Sequence, residues 1–335
     1  MTSQKKSGCL PAVLFLLLCL SILGNFVLLI LLGSSAAIPP TTSSSSKIYK
    51  KVLVPAKNNS SQEIAQIDLL GLITSDGSSG LTGSMVDDFK HALKAAVEEE
   101  NVKGILVRIN SPGGEVTASD VLYNAIQHAA QKKPVLAYID SIGASGGYYA
   151  ACGSSYIMAN DTAITGSIGV IIQTFNYQSL LGKVGLEAIV FKSGKFKDIL
   201  SGSRDMTPEE ITYVQGLVNQ SYDRFLNIVA ESRELDATTL RNTVADGRIL
   251  TGVDAKTSKL VDNTGYIEDA YTQIRALAEA PDAKITRYTA PLSFANFFSI
   301  FNSAKSRNIQ LNILPESQIQ LKPATFYFLP SIYLP

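Results

Sequence analysis

The stretch DSIGASGGYYAACG, from Asp140 to Gly153, decides the fold. It follows the apolar run PVLAYI at 134–139, whose β-branched and aromatic residues are typical of a strand. The small residues around Ser145 predict a tight turn, and the YYAAC segment after them can continue as a helix. This order of elements is the layout that exposes a nucleophilic serine beside backbone N–H groups. Because such turns are also common without any catalytic role, the stretch alone leaves both interpretations open.

Composition narrows the class of protein. The 335 residues suffice for one large domain or two ordinary ones, and 29 basic residues balance 29 acidic ones, so the net charge gives no case for a nucleic-acid partner. Mean hydropathy is +0.15 and charged residues make up 17%, which indicates a membrane segment, a large core, or both.

Cys9, Cys19 and Cys152 form neither a disulfide framework nor a zinc spacing. His91 and His128 fall in ordinary amphipathic helices, so we expect no metal, no cofactor and no Ser-His-Asp triad.

The N-terminal region predicts a membrane anchor. Residues 9–32 are uncharged and mainly apolar, and as a helix they would span roughly 36 Å, enough to cross a bilayer. A cleavable signal sequence usually has a shorter apolar core, of about 7–15 residues. Lys5 and Lys6 precede the run, which favours a cytoplasmic N-terminus with the rest of the chain outside. We therefore expect a single-pass cell-membrane protein, with cleavage after the small residues at 33–37 as the alternative.

Changes in composition suggest four regions. Residues 1–33 hold the cytoplasmic N-terminus and the predicted signal-anchor helix, and residues 34–50 form a polar linker that contains PPTTSSSS. A globular domain is predicted over 51–281. The aromatic tail at 282–335 has no assigned role: it can pack on the domain, bind a neighbour or approach lipid.

A glycine pair marks a second informative segment. An apolar strand at 103–109 leads into NSPGGE, residues 110–115, and then into a helical pattern at 116–131. Consecutive glycines leave backbone N–H groups free to point outward, and an acyl-transfer enzyme needs such donors for its oxyanion. A plain turn between strand and helix is the alternative.

A lysine cluster is the third informative segment. A predicted strand at 187–191 is followed by KSGKFKD, residues 192–198. Three lysines so close together normally form a solvated surface, but a lysine beside a serine nucleophile can act as a general base if burial depresses its pKa. Since neither histidine is usable, serine chemistry in this chain would depend on a lysine.

Six motifs together resemble the signal peptide peptidase A family in its short, single-repeat form. They occur in the family's order across about residues 60–275: NSPGG at 110–114, SIGASGGYYAA at 141–151, TGSIGV at 165–170, KSGKFKD at 192–198, RDMTPEE at 204–210 and GRILTG at 247–252. Each motif alone is weak evidence for the family, whereas six motifs in the family's order are not expected by chance. Lys259 departs from the pattern, because the family usually has glycine at that point of a turn.

The resemblance implies an α/β fold of the ClpP/crotonase-like type, built from stacked β-β-α units, so that the domain at 51–281 would be the peptidase. It implies a Ser-Lys dyad with Ser145 as nucleophile and Lys197 as general base, and an oxyanion hole formed by Gly114 and Gly146. It also implies a homo-oligomeric ring in which neighbouring subunits can supply the serine and the lysine. The implied substrates are signal peptide remnants and other short or unfolded hydrophobic peptides.

Two other functions are compatible with such a fold. One is a crotonase-type acyl-CoA enzyme, which uses an oxyanion hole without a nucleophile, although CoA esters are cytoplasmic and the predicted domain is not. The other is a ring-forming membrane scaffold that has lost its activity. The presence of Ser145, Lys197 and the NSPGG loop favours the peptidase.

Overall fold

A computed structural model describes residues 9–34, 48–75, 84–290 and 326–329. The chain divides into two compact units, Met1–Ser46 and Lys47–Pro335. The predicted linker lies almost entirely outside the described residues, as does most of the tail. The predicted domain boundaries at 33, 50 and 281 stay predictions.

The first unit contains one helix, α1, over Cys9–Ser34. Its side chains are described from 13 to 27, and those that are apolar are exposed, among them Phe15, Leu23 and Phe26. Over the described part of the chain, no helix has the length and apolar character needed to cross a membrane.

The second unit is an α/β domain around a mixed sheet. Its strands are β1 (Tyr49–Val54), β2 (Glu63–Leu70), β3 (Val102–Ser111), β4 (Gly114–Glu115), β5 (Val135–Ala144), β6 (Tyr156–Ala159), β7 (Ile164–Gly166), β8 (Ile249–Thr251), β9 (Asn263–Thr264), β10 (Lys284–Thr289) and β11 (Tyr327–Phe328). Within the described residues the main sheet has the order β1-β10-β2-β3-β5-β6-β9, and β7 joins β5 to β8. Neighbours from β10 to β9 run parallel, whereas the β1–β10 and β7–β8 pairs are antiparallel.

Helices cover both faces of this sheet. They are α2 (Met85–Glu98), α3 (Val116–Ala130), α4 (Gly146–Ala151), α5 (Gln178–Lys183), α6 (Pro208–Arg233), α7 (Ala237–Thr243), α8 (Gly252–Thr257) and α9 (Ile267–Leu277). Along β3, Ile105 and Val107 point into the core shared with α2, α3, α4 and α6, while Leu106 points into a second core under α9. This central parallel strand therefore buries both of its faces over Ile105–Val107, which explains the apolar run at its centre.

Most of the predicted elements are present. The helical pattern at 116–131 is α3. The apolar period at 85–99 and the TPEE sequence at 207–210 also predict helices, and these are α2 and α6. At the start of α6, Thr207 and Glu210 form a capping box. The strand expected at 187–191 is wrong: these residues form no strand, and their side chains are exposed. They are apolar enough for a strand, but within the described chain no neighbouring strand pairs with them.

Lys259, which stands where the resembled family usually has glycine, adopts a backbone conformation that favours glycine. Its φ is 60°, in the left-handed region that glycine enters most easily. Its carbonyl oxygen accepts a 3.0 Å hydrogen bond from Arg233 Nε, which helps to hold the turn.

Parallel pairing brings two of the informative segments to one edge of the sheet. In the β3–β5 register Ser111 lies opposite Gly143, so NSPGG and Ser145 follow the carboxyl ends of neighbouring strands. Loops at this edge are the usual location of ligand sites in such sheets.

Candidate active site

Ser145 occupies a strained position between β5 and α4. Its φ of 53° and ψ of −116° are unusual for a residue with a side chain, and such conformations cost on the order of 1–3 kcal/mol. Two 2.8 Å backbone hydrogen bonds hold it there: the Ser145 nitrogen donates to the Gly166 carbonyl oxygen, and the Tyr149 nitrogen donates to the Ser145 oxygen. A sharp strand-to-helix turn of this kind presents a serine hydroxyl away from the sheet.

The Ser145 hydroxyl has no hydrogen-bond partner among the described residues, although the residue is 0% exposed. A buried hydroxyl without a partner is unfavourable by about 1–3 kcal/mol. Most buried polar groups are paired, so an unpaired hydroxyl at this strand-to-helix turn makes Ser145 a candidate nucleophile.

The two glycine segments expected to bind an oxyanion pack against each other. A methyl group built on Gly113 would lie 2.6 Å from the Gly146 nitrogen, and one built on Gly146 would lie 3.1 Å from the Gly114 nitrogen. Gly113 has a φ of 106°, which requires glycine. Only residues without side chains allow this approach of the two backbones, and it brings the Gly114 and Gly146 N–H groups close to Ser145.

A short strand from the tail enters this site, which sequence reasoning missed. Within β11, Tyr327 and Phe328 pair antiparallel with Glu115 and Gly114. On the other side the Tyr327 nitrogen and oxygen both bond to Ile171, at 3.0 and 3.1 Å. The aromatic sequence FYFL at 326–329 indicates strand propensity, but nothing in it specifies the partner strands.

An aromatic cluster surrounds the side chain of Phe328. Its ring stacks on Tyr149, with centroids 4.9 Å apart, and contacts Phe225 at 4.7 Å. The Tyr149 hydroxyl donates a 2.6 Å hydrogen bond to Asp120, which also accepts from Arg224. Burial, and then the bond to Asp120, raise the pKa of Tyr149 well above its usual value, so the hydroxyl stays protonated and the ring keeps its orientation.

The lysine segment is anchored at the start of α6. Lys192 and Arg204 both bind the Asp198 carboxylate, each at 2.7 Å, and Arg204 also binds Glu210 at 2.6 Å. These hydrogen bonds hold the pKa of Asp198 well below its ordinary value. Lys195 pairs with Glu209. Lys197 is exposed, and the described residues provide it with no ion pair.

Of the four predicted site residues, the structure brings together Ser145, Gly114 and Gly146. Lys197 is not among the groups that contact the buried hydroxyl, since that hydroxyl has no partner in the described chain. His91 and His128 are exposed on α2 and α3. Within the described residues, the candidate nucleophile thus lies beside the candidate oxyanion donors, and its hydroxyl makes no hydrogen bond to a candidate base.

Cys152 lies just beyond α4 and is buried. Burial raises the pKa of its thiol to about 12. A thiol of this kind is mostly protonated at neutral pH and is a poor nucleophile.

Comparison with known proteins assigns the family. The model of peptidase family S49 matches residues 127–281, and that of the Clp protease family matches 78–162. A Synechocystis sp. protein named "Putative protease" is 41% identical over 231 residues, which cover 69% of this chain and 80% of that protein. The chain belongs to peptidase family S49. It is a serine peptidase on a ClpP-like α/β fold, and the resemblance to the signal peptide peptidase A family is confirmed.

Two further relatives show how far the similarity extends. A protein of Enterococcus faecium named "Putative signal peptide peptidase SppA" is 37% identical over 235 residues, covering 68% of this chain and 67% of that one. A Methanocaldococcus jannaschii protein named "Putative protease" is 42% identical over 192 residues, covering 57% of this chain and 61% of the relative. The match therefore spans about three fifths of the archaeal relative's length.

Proposed function

We propose that this S49 peptidase is a membrane-anchored endopeptidase in which Ser145 is the nucleophile and Lys197 the general base. The observation that carries the proposal is the Ser145 hydroxyl, which is buried, unpaired and held in a left-handed turn beside the glycine backbones. Family membership favours this reading over the crotonase-type acyl-CoA enzyme, because the family is one of peptidases.

The reaction follows from the chemistry of the groups. Neutral Lys197 removes the proton from the Ser145 hydroxyl, whose oxygen attacks the peptide carbonyl carbon. The Gly114 and Gly146 N–H groups stabilise the negative charge on the carbonyl oxygen, and removing such a donor typically costs about 3 kcal/mol of transition-state stabilisation. The lysine returns the proton to the leaving amine as the C–N bond breaks. Water, deprotonated by the same lysine, then hydrolyses the serine ester and restores the hydroxyl.

In this proposal the general base, Lys197, is supplied by a second copy of the chain. Two observations support a homo-oligomeric ring. Lys197 is exposed, and the segment before it carries apolar side chains that the described residues leave uncovered, such as Ile189 and Phe191, which is 96% exposed. A neighbouring subunit that covers this segment would bury it and could also bring Lys197 to Ser145 across the interface. Exposed apolar patches commonly mark such contacts.

The substrates we propose are signal peptide remnants and other short or unfolded hydrophobic peptides. The name of the Enterococcus faecium relative supports signal peptides. The site itself offers strand edges at Gly114–Glu115 and Ile171, and these can bind the backbone of any extended chain.

From the apolar sequence at 9–32 we also propose that the N-terminal segment anchors the protein in the cell membrane, with the N-terminus in the cytoplasm and the peptidase outside. Support comes from the uncharged sequence at 9–32, the exposed apolar side chains of α1 and the two lysines before it. A reporter fused at either end of the chain would test the orientation.

Labelling with a fluorescent serine-directed probe tests the dyad in detergent-solubilised protein. We expect labelling and peptide hydrolysis in the wild type, and neither in Ser145→Ala or Lys197→Ala. Lys195→Ala is the matched control, because it also removes an exposed lysine of the same segment, and it should retain activity. Hydrolysis in folded Lys197→Ala would exclude that lysine as the base. No hydrolysis either in the folded wild type or in a variant truncated after residue 325, whose cleft is not filled by residues 326–329, would favour the inactive scaffold.

A further inference from the structure

We propose that Arg204 is a positioning residue for the general base: it holds Asp198 against the first turn of α6 and thereby fixes the place of Lys197, the preceding residue. The inference rests on the proposed function, because it concerns the base of that same site. It is carried by the hydrogen bonds of the Arg204 guanidinium, which binds two carboxylates at once.

Every N–H group of the Arg204 guanidinium has an acceptor. Nε and Nη2 donate to the two carboxylate oxygens of Asp198 at 2.8 and 2.7 Å. Nη1 and Nη2 donate to the two carboxylate oxygens of Glu210 at 2.9 and 2.6 Å, and Nη1 also donates to the Asp205 carbonyl oxygen at 2.9 Å. These five bonds use all five donors of the planar group. Paired bonds of this kind fix the orientation of each carboxylate as well as its distance.

Glu210 joins this clamp, which consists of Asp198, Arg204 and Glu210, to a rigid element. It lies on the first turn of α6, and its side chain is 4% exposed. Its carboxylate also accepts a 2.8 Å hydrogen bond from the Thr207 nitrogen. Hydrogen bonds from Arg204 and then from Thr207 lower the pKa of Glu210 to about 2, so the carboxylate is ionised at neutral pH. The clamp therefore holds Asp198 to the helix through charge-assisted bonds.

Lys197 lies where such a support is needed. Residues 195–200 form a run of turns rather than a helix or strand. The Lys197 nitrogen donates to the Gly194 oxygen and the Ser201 nitrogen to the Asp198 oxygen, both at 3.1 Å. Lys197 is exposed, whereas the side chain of Asp198 is only 9% exposed. The clamp thus holds the buried side of the turn and leaves the lysine on its outer side, where a neighbouring subunit can receive it.

Peptide hydrolysis by homogeneous variants is the first test. Arg204→Gln should lower kcat about 100-fold, because misplacing a reacting group by about 1 Å costs that much, and should leave KM unchanged. Arg204→Lys should not restore kcat, because an ammonium is a point charge that cannot bind two carboxylates in parallel. Glu209→Gln is the matched control: it removes an exposed ion pair between the same segment and the same turn of α6, and it should retain activity. A wild-type kcat in Arg204→Gln would overturn the inference.

Asp198→Asn tests whether Arg204 acts through that carboxylate. The amide has lost the charge and one acceptor oxygen, so this variant should lower kcat as Arg204→Gln does. The double variant should be no slower than either single variant, because both substitutions break the same contact. Losses that multiply in the double variant would show that Arg204 does not act through Asp198, and would overturn the inference.

Mixed oligomers separate positioning of the base from general stability. A Ser145→Ala chain supplies the lysine and a Lys197→Ala chain supplies the serine. Adding Arg204→Gln to the chain that supplies the lysine should lower the activity of the mixture about 100-fold. The same substitution in the chain that supplies the serine should leave that activity unchanged. A structural role alone would lower the activity of both mixtures alike, and that result would overturn the inference.

Failure of the proposed function gives a different result. If the two parent chains do not complement each other, the dyad is not shared, and kcat of the homogeneous variants decides the role of Arg204. If the folded wild type cleaves no peptide, amide hydrogen exchange over residues 192–200 decides whether the clamp holds the segment. Arg204→Gln should speed that exchange about 10-fold or more, the least effect expected of lost hydrogen bonds between charged groups, and Glu209→Gln should not. Unchanged exchange in Arg204→Gln would overturn the inference.

Discussion

The Ser145 backbone nitrogen donates a 2.8 Å hydrogen bond to the Gly166 carbonyl oxygen. This bond joins the end of β5 to the end of β7 and holds Ser145 in its left-handed conformation, with its hydroxyl buried and unpaired. The backbone conformation of Ser145 and its buried, unpaired hydroxyl therefore both lower the free energy of unfolding.

Ser145→Ala should abolish hydrolysis and stabilise the fold. The substitution removes a buried hydroxyl without a partner and changes no observed hydrogen bond of the side chain, so we expect the free energy of unfolding to rise by about 1 kcal/mol. Urea denaturation of both proteins measures the difference. Ser167→Ala, at another buried serine with positive φ, is the control. A destabilised Ser145→Ala protein would mean that the hydroxyl has a structural partner.

Mixing two inactive variants tests whether the dyad is shared between subunits. Ser145→Ala supplies the lysine and Lys197→Ala supplies the serine, so mixed oligomers should recover about a quarter of the wild-type activity if pairing is random. The variants carry different affinity tags, and doubly purified oligomers are assayed for peptide hydrolysis. Mixing Ser145→Ala with the double variant is the control and should give no activity. Doubly tagged oligomers without activity would contradict a base supplied by a neighbouring subunit.

Arg204→Gln should make the protein more sensitive to acid. Hydrogen bonds from Arg204 and then from the Thr207 backbone lower the pKa of Glu210 to about 2, from an ordinary value of 4.5. Because the folded pKa is depressed, this carboxylate contributes stability above pH 4.5, and that contribution is lost as the pH falls toward 2. Without Arg204 the pKa rises, so acid unfolding followed by circular dichroism should begin at higher pH.

Arg241→Gln is the control for the acid sensitivity of Arg204→Gln. Arg241→Gln removes an arginine whose pair with Asp223 is exposed on both sides, and such pairs contribute little. Its acid unfolding should resemble that of the wild type. If Arg204→Gln and Arg241→Gln behave alike, the contacts of Arg204 with Asp198 and Glu210 do not anchor the lysine segment.

Cys152 should resist alkylation in the folded protein. Burial raises the pKa of its thiol to about 12, so both access and the thiolate form are lacking at neutral pH. In a variant with Cys9 and Cys19 replaced by serine, iodoacetamide should label Cys152 only after unfolding, as mass spectrometry can show. Rapid labelling of native Cys152 would show that α4 opens.

The local elements could be predicted because their causes are local. The apolar period along α2, the capping residues Thr207 and Glu210 and the glycine turn at Ser145 depend on residues close in sequence. The candidate nucleophile and the glycine loop followed from the same reasoning, because a residue's type and its neighbours determine whether it can adopt a tight turn. The segment at 187–191 shows the limit, since a strand also requires a partner strand that the sequence does not name.

The sequence by itself determined the α/β class, the position of Ser145 in a strand-to-helix turn and the absence of a usable histidine. Only the tertiary structure decided that Gly114 and Gly146 meet beside that serine, that Lys197 does not contact it within one described chain, and that residues 326–329 fill the cleft. These facts concern pairs of residues far apart along the chain. The pairing of β3 with β5, and of β11 with β4, brings these residues together. Strands pair through backbone hydrogen bonds, which are the same for every residue type, so the sequence does not specify which strands become neighbours.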